Sequence, residues 1–173
     1  MRTSILIAGW FFAACVAAFA GSPARAAQSV AIFPFELLDQ SQDGELFPKV
    51  RPEETKRLAL LTQDLKDRLV AAKAYQIADV TPLAAEIKSA SPLHKCDDCV
   101  TSLAKKSGAD LAMLGLVQKF SDTLLSVNIQ IVDARSGAVV KTYSAGVQGN
   151  TDEGWLRGVS YIVRNKMLEG TSQ

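Results

Sequence analysis

Residues 94–99 read HKCDDC, and two thiols three residues apart beside an imidazole support three kinds of chemistry. They can close a local disulfide, cycle as a redox couple, or supply part of a metal site. If Cys96 and Cys99 occupy the first turn of a helix, their α-carbons lie about 5 to 5.5 Å apart, a span that a disulfide bridges. A loop that small gains only about 2 kcal/mol from closure, so the first reading is a clip that holds a loop against a helix end. A redox role would exploit a lowered thiol pKa at a helix start. Asp97 and Asp98 set negative charge beside the thiols, which disfavours thiolate, and no strand leads directly into the motif as in thioredoxin-like proteins. A metal site would use His94, Cys96 and Cys99. Three donors from one short stretch, with no second Cys/His cluster elsewhere, do not close a structural zinc site. Val100 stands where c-type haem attachment needs a histidine.

Which thiols persist depends on the compartment. The amino terminus carries one Arg in MRTS, the apolar run ILIAGWFFAACVAAFA, a Gly-Ser-Pro break and ARAAQS, the layout of a secretory signal peptide. Ala24 and Ala26 place small side chains where the peptidase reads, so cleavage is expected after Ala26. The expected organisation is a signal peptide over 1–26 and one α/β domain over 27–173. The run is too short, and its far flank too weakly charged, for a permanent membrane span. An alternative uses FAAC at Phe12–Cys15 as a lipoprotein signal with Cys15 acylated, although Phe fits poorly where such signals carry Leu. Both readings export the chain to an oxidising compartment, the periplasm. On the first, Cys15 leaves with the signal, and Cys96 and Cys99 have only each other.

Cleavage removes Arg2 and Arg25 and no acid, so 19 basic residues become 17 against 18 acidic. No Lys/Arg block or large charge imbalance points to nucleic acid or an anionic membrane surface as the main partner, and neither is expected. The remaining 147 of 173 residues suffice for one core without disulfides.

Further catalytic constellations are thin. His94 is the only histidine, and no Gly-x-Ser-x-Gly elbow accompanies it. GADLAMLG spaces its glycines too widely for a phosphate loop and reads as a helix stop followed by a strand. Asp43, Glu45, Glu53 and Glu54 read as a solvated loop and helix start. No catalytic residue and no cofactor is expected, and the chain is not read as an enzyme. In the last helical segment Leu156, Val159, Ile162 and Val163 form the expected buried side, while Arg157, Tyr161 and Arg164 line a neighbouring face at i, i+4 and i+7. Trp155 is either core filling or an exposed anchor. Trp155, Arg157, Tyr161 and Arg164 form the candidate partner surface.

The elements that must position these residues follow from periodicity. Five strands are expected, Val30–Phe35, Tyr75–Val80, Leu111–Phe120, Leu124–Asp133 and Ala138–Gly149. Between them, Leu58, Leu61, Leu65 and Leu69 recur at helical spacing after Pro52, a residue suited to a first helical turn. TPLAAEIKSA is a short capped helix, and DDCVTSLAKKSGAD a helix stopped by Gly108. Asn150 and Glu153 look like a capping box before the closing helix. The junctions SD and ARSG are too short for parallel crossovers, so the last three strands should form an antiparallel meander. The fold class is α/β (α+β), a mixed five-stranded sheet with helices packed on it. The long helix and the closing helix should share one face, with Leu58, Leu65 and Leu69 against Ile32, Leu114 and Ile129.

The stretches VAIFPFEL (Val30–Leu37), SGADLAMLGLVQKF (Ser107–Phe120) and VNIQIVDARSGAVVKT (Val127–Thr142) resemble the small periplasmic domain shared by the TolB amino-terminal region, the curli-secretion lipoprotein and the outer-membrane lipoprotein activators of penicillin-binding proteins. With CDDC and GNTDEGWLRGVSYIVRN, the whole chain also looks like a proteobacterial exported family of unknown function. The resemblance implies a fold and brings no catalytic residues with it. The chain departs from the curli lipoprotein in its weak lipobox and in having no long membrane-spanning hairpin insertion, so pore formation is not expected. Two functions follow as expectations. The first is an exported periplasmic, non-catalytic binding or assembly module acting on another envelope protein. The alternative is a thiol-redox or metal-handling accessory that uses the CxxC pair.

Overall fold

A computed structural model describes residues 28–47 and 49–169. The signal peptide expected over 1–26 and the alternative acylation at Cys15 lie outside the described residues. Six strands form one sheet: β1 (Ser29–Ile32), β2 (Glu36–Asp39), β3 (Gln76–Ile77), β4 (Leu111–Lys119), β5 (Leu124–Asp133) and β6 (Val139–Gln148). The order is β3-β1-β4-β5-β6, with β2 also paired to β4. β1 and β2 run parallel to β4 one after the other, with Ile32 opposite Met113 and Glu36 opposite Leu116. β4, β5 and β6 form the expected antiparallel meander, with Leu116 opposite Asn128 and Asn128 opposite Ser144.

The sixth strand arises because Val30–Phe35 is not one strand. Pro34 has no N–H for the ladder, and the Phe35 N–H donates instead to Thr62 Oγ1 at 2.9 Å. The chain regains β4 as β2. This break turns Phe33 and Phe35 into opposite cores. The Phe35 ring lies over Gly115, where an added Cβ would sit 2.4 Å from ring carbons, so only glycine fits there. β3 is shorter than expected: after Ala78 donates to the Val30 carbonyl, Asp79 accepts from the Thr81 N–H at 2.9 Å and Pro82 begins a helical turn.

Helices α2 (Pro52–Ala71) and α5 (Asp152–Ile162) cover one face. Leu61, Leu65 and Leu69 meet Val159 and Ile162 there, over Ile32, Met113, Val127 and Ile129. Helices α3 (Ala84–Ala90) and α4 (Asp97–Lys106) cover the other face beneath β1 and β4, where Ile87 and Leu103 join Ala31, Phe33, Ala112 and Val132. A further helix, α1 (Gln42–Leu46), interrupts the loop after β2. Leu65 and Leu69 bury with Ile32 and Ile129 as the spacing predicts, while Leu58 is only partly buried. Leu114 belongs to the opposite core. Side chains alternate along a strand, so Leu111, Met113 and Val117 face α2 and Leu114 cannot.

α5 starts one residue later than the expected capping box. Thr151 Oγ1 accepts from the Gly154 N–H at 3.1 Å, which leaves Asn150 for other partners. Gly158 lets the helix approach the sheet closely, since a Cβ there would lie 2.7 Å from Val147 Cγ2 and 3.1 Å from Val127 Cγ2. Leu65→Ala should lower the unfolding free energy by roughly 2 to 5 kcal/mol. Leu60→Ala, at a site 42% exposed on the same helix, should change it by about 0.5 kcal/mol or less. Urea unfolding of both variants tests the facing of α2, and equal losses would contradict it.

Candidate functional site

The HKCDDC segment lies where a single helical turn (Leu93–Lys95) meets the start of α4. Cys96 and Cys99 are joined as a disulfide with α-carbons 5.5 Å apart, and both residues are half-buried. His94 Nδ1 lies 2.6 Å from Glu36 Oε2. The same carboxylate accepts the backbone N–H groups of Leu93 at 2.6 Å and His94 at 3.0 Å. A carboxylate that only accepts makes Nδ1 the donor of the pair. Glu36 thereby staples the segment onto β2. His94, Cys96 and Cys99 do not converge on a common point, because the sulfurs bind each other and the imidazole turns to Glu36. Among the described residues no group of three or more His, Cys, Asp or Glu side chains forms a metal-holding cluster.

This segment rims a shallow groove of about 580 Å³ on the sheet face that α3 and α4 leave open. Its floor mixes Leu114, Leu116 and Val132 with Gln118, Asn128 and Gln130. Asn128 Nδ2 donates to Gln118 Oε1 at 3.1 Å, so two of these amides are linked across β4 and β5. The groove offers polar contacts but no nucleophile paired with a base.

A second groove, about 520 Å³, runs between the last strand and the closing helix. β6 contributes Ser144–Gln148, and α5 with the turn after it contributes Gly154, Arg157, Gly158, Tyr161 and Lys166. Tyr161 is 48% exposed, and the Lys166 ammonium sits 5.6 Å from its ring centroid. Arg157 and Arg164 are exposed, and Arg157 pairs with Glu153 at 3.0 Å. Three of the four residues expected as a partner surface are therefore exposed. Trp155 is not among them: it is fully buried in the α2–α5 core, with the Arg57 guanidinium 5.8 Å from its ring centroid. Its position in the first turn of α5 places it above α2, which its neighbour Gly154 does not reveal.

The model of the family described as "Protein of unknown function (DUF2380)", DUF3280, matches residues 28–167. The chain belongs to this family. No curated protein matches the sequence. Among solved structures, the LpoB C-terminal domain from Escherichia coli superposes with a TM-score of 0.52 at 10% identity, covering 75% of this chain and 89% of that one. The same domain from Salmonella enterica gives 0.50 at 12% identity, covering 71% and 84%. TolB from Acinetobacter baumannii gives 0.47 at 13% identity, covering 84% of this chain and 28% of TolB. The two LpoB superpositions show that this chain shares the fold of those domains.

The most elaborate electrostatic arrangement in this family member was missed by the sequence reading. Lys119 ends β4 with its side chain 2% exposed, and its Nζ lies 2.9 Å from Asp39 Oδ2, 3.1 Å from Glu54 Oε1 and 3.3 Å from Asp122 Oδ1. Arg51 bridges Glu54 and Asp122, each at 2.7 Å, and Asn150 Nδ2 donates to Glu54 Oε1 at 2.9 Å. Glu54 is therefore not part of a solvated acidic stretch. Burial alone would raise its pKa, but the bonds from Arg51, Asn150 and Lys119 outweigh it and bring the carboxyl down to about 2. Bonds from Arg51 and Asn150 hold Asp122 at about 2 as well. The one hint in the sequence is Lys119 itself, a cation at a strand position whose alternation points toward the core.

Because Glu54 titrates at about 2 when folded and near 4.5 ordinarily, its contribution is complete above about pH 4.5 and disappears as the pH falls toward 2. Glu54→Gln should cost roughly 3 to 5 kcal/mol at pH 7 by leaving Lys119 under-compensated. The gap between variant and wild type should narrow across that acid window. Urea titrations at several pH values measure it, and a gap independent of pH would contradict the assignment.

Proposed function

We propose that the chain is exported and works in the periplasm as a non-catalytic binding module that docks on another envelope protein and helps assemble, activate or position it. The α5–β6 groove carries this reading: a long edge strand beside an exposed aromatic and a set of cations. Tyr, Trp and Arg are the side chains that most often anchor protein interfaces, and Tyr161 with Arg157 and Arg164 supplies such a set. The signal-like leader supports the compartment. Mass spectrometry of the protein recovered from envelopes should find an amino terminus at Ala27, whereas a diacylated Cys15 start would establish the lipid-anchored alternative.

Docking is tested by site-specific photo-cross-linking in intact cells, with the photoreactive residue at Tyr161 or at Val70, an exposed position on the far helix. A discrete adduct from Tyr161 and none from Val70 is expected. Adducts that are absent from Tyr161, or equally strong at both sites, would sink the docking reading.

The second reading, a thiol-redox or metal-handling accessory, draws on the half-buried Cys96–Cys99 bond beside His94. As a structural clip, the pair should show a reduction potential below about −300 mV, and replacing both cysteines by serine should cost about 2 kcal/mol without weakening the Tyr161 adduct. A markedly higher potential, or metal retained by the reduced protein, would favour the second reading instead.

A further inference from the structure

We propose that the outer edge of β6 accepts a seventh strand, and that this strand is an extended acidic segment of the docking partner. The inference rests on the docking reading and specifies the chemistry of its occupant.

β6 ends the sheet, with β5 on its inner side, so among the described residues no strand pairs its outer edge. Lys166 Nζ donates to the Ser144 carbonyl at 2.7 Å, which shows that the main-chain groups of Ser144 point outward. In a strand these groups alternate between the two edges. Thr142, Gly146 and Gln148 therefore share the outward edge, while Tyr143, Ala145 and Val147 turn toward β5. Exposed edges are commonly blunted by proline, bulges or charged side chains. The stretch from Thr142 to Gln148 contains no proline, and the irregularity in pairing falls at Ile131/Val132, nearer the other end of the strand. The guard is Lys166, a side chain that can move.

The groove accounts for the acidic preference. Its lining carries Arg157 and Lys166 and no carboxylate. Gly154 and Gly158 keep the helix side low. An incoming strand would lay alternate side chains into this groove. A carboxylate there can draw Lys166 off Ser144, and the freed carbonyl then accepts the incoming backbone N–H. Arg157 is equally transferable, because its bond to Glu153 joins two exposed side chains, a pairing of little strength. Pairing β6 with β6 of a second copy would instead bring two sets of Arg157 and Lys166 together across one seam, a like-charge arrangement that opposes association.

The probes are two blocked decapeptides, Ac-(Thr-Glu)5-NH2 and Ac-(Thr-Lys)5-NH2, titrated into ¹⁵N-labelled protein recovered in its exported form. The Glu peptide is expected to shift and protect the amides of Thr142, Ser144, Gly146 and Gln148, and to bind at least tenfold more tightly than the Lys peptide. The double variant R157E/K166E should reverse that preference. Gly146→Pro, which removes one outward donor, should weaken binding at least tenfold with an unchanged thermal melt; if it fails to fold, the charge reversal decides. Shifts centred on the 93–99 groove, a preference unmoved by charge reversal, or β6 protection that appears with protein concentration and no peptide would each overturn the proposal. A Tyr161 adduct without β6 protection leaves docking standing and removes strand addition. β6 protection by the Glu peptide without any Tyr161 adduct supports strand addition and removes docking on an envelope protein.

Discussion

Strand β4 has no free edge, and its strict alternation sets the problem that the surrounding structure solves. Its odd-numbered residues face α2 and α5, and its even-numbered ones face the opposite side, where Ala112 lies under α3 and α4 while Leu116 and Gln118 floor the open groove, so the two cores share one strand. The same alternation carries the side chain of Lys119 into the α2 side, where an ammonium without partners would cost several kcal/mol. Asp39, Glu54 and Asp122 surround it, and these come from β2, the first turn of α2 and the β4–β5 turn. Asn150 brings in the connection between β6 and α5. One buried cation thus fixes the relative placement of four segments at one end of the sheet.

That arrangement also shapes the groove between α5 and β6. Arg57 bonds Asn150 at 3.0 Å and Asp152 at 2.6 Å and lies over the Trp155 ring, so the start of α5 is tied to α2 as well as packed on it. Gly158 then allows the helix to sit low on Val127 and Val147. Arg157 and Tyr161 stand on this anchored helix, and Lys166 in the turn that follows it.

The HKCDDC segment is held by a comparable local device. Glu36 accepts three bonds from residues 93 and 94, so the turn before α4 is fixed by β2 together with the disulfide. A short covalent loop adds only a modest increment to a segment already held by hydrogen bonds.

What the sequence determined by itself is whatever short-range physics encodes. Hydrophobic period distinguished α2 from the strands, the SD and ARSG junctions dictated an antiparallel meander, and helical spacing marked Arg157, Tyr161 and Arg164 as residues outside the buried side of α5, where all three are exposed. The spacing of Cys96 and Cys99 suited a disulfide in the first turn of a helix. The tertiary structure decided the rest, because the partners concerned are far apart in the chain. Lys119 meets Asp39 and Glu54 across separations of 80 and 65 residues, and Asn150 meets Glu54 across 96. No local pattern marks such a pairing. Leu114 was legible as buried, but the face it buries toward depends on the register of β4 against β1 and β5. Trp155 had two local readings, with core slightly favoured, and the docking of α5 against α2 placed it in the core, since burying a large ring between two helices gains more than leaving it at a surface.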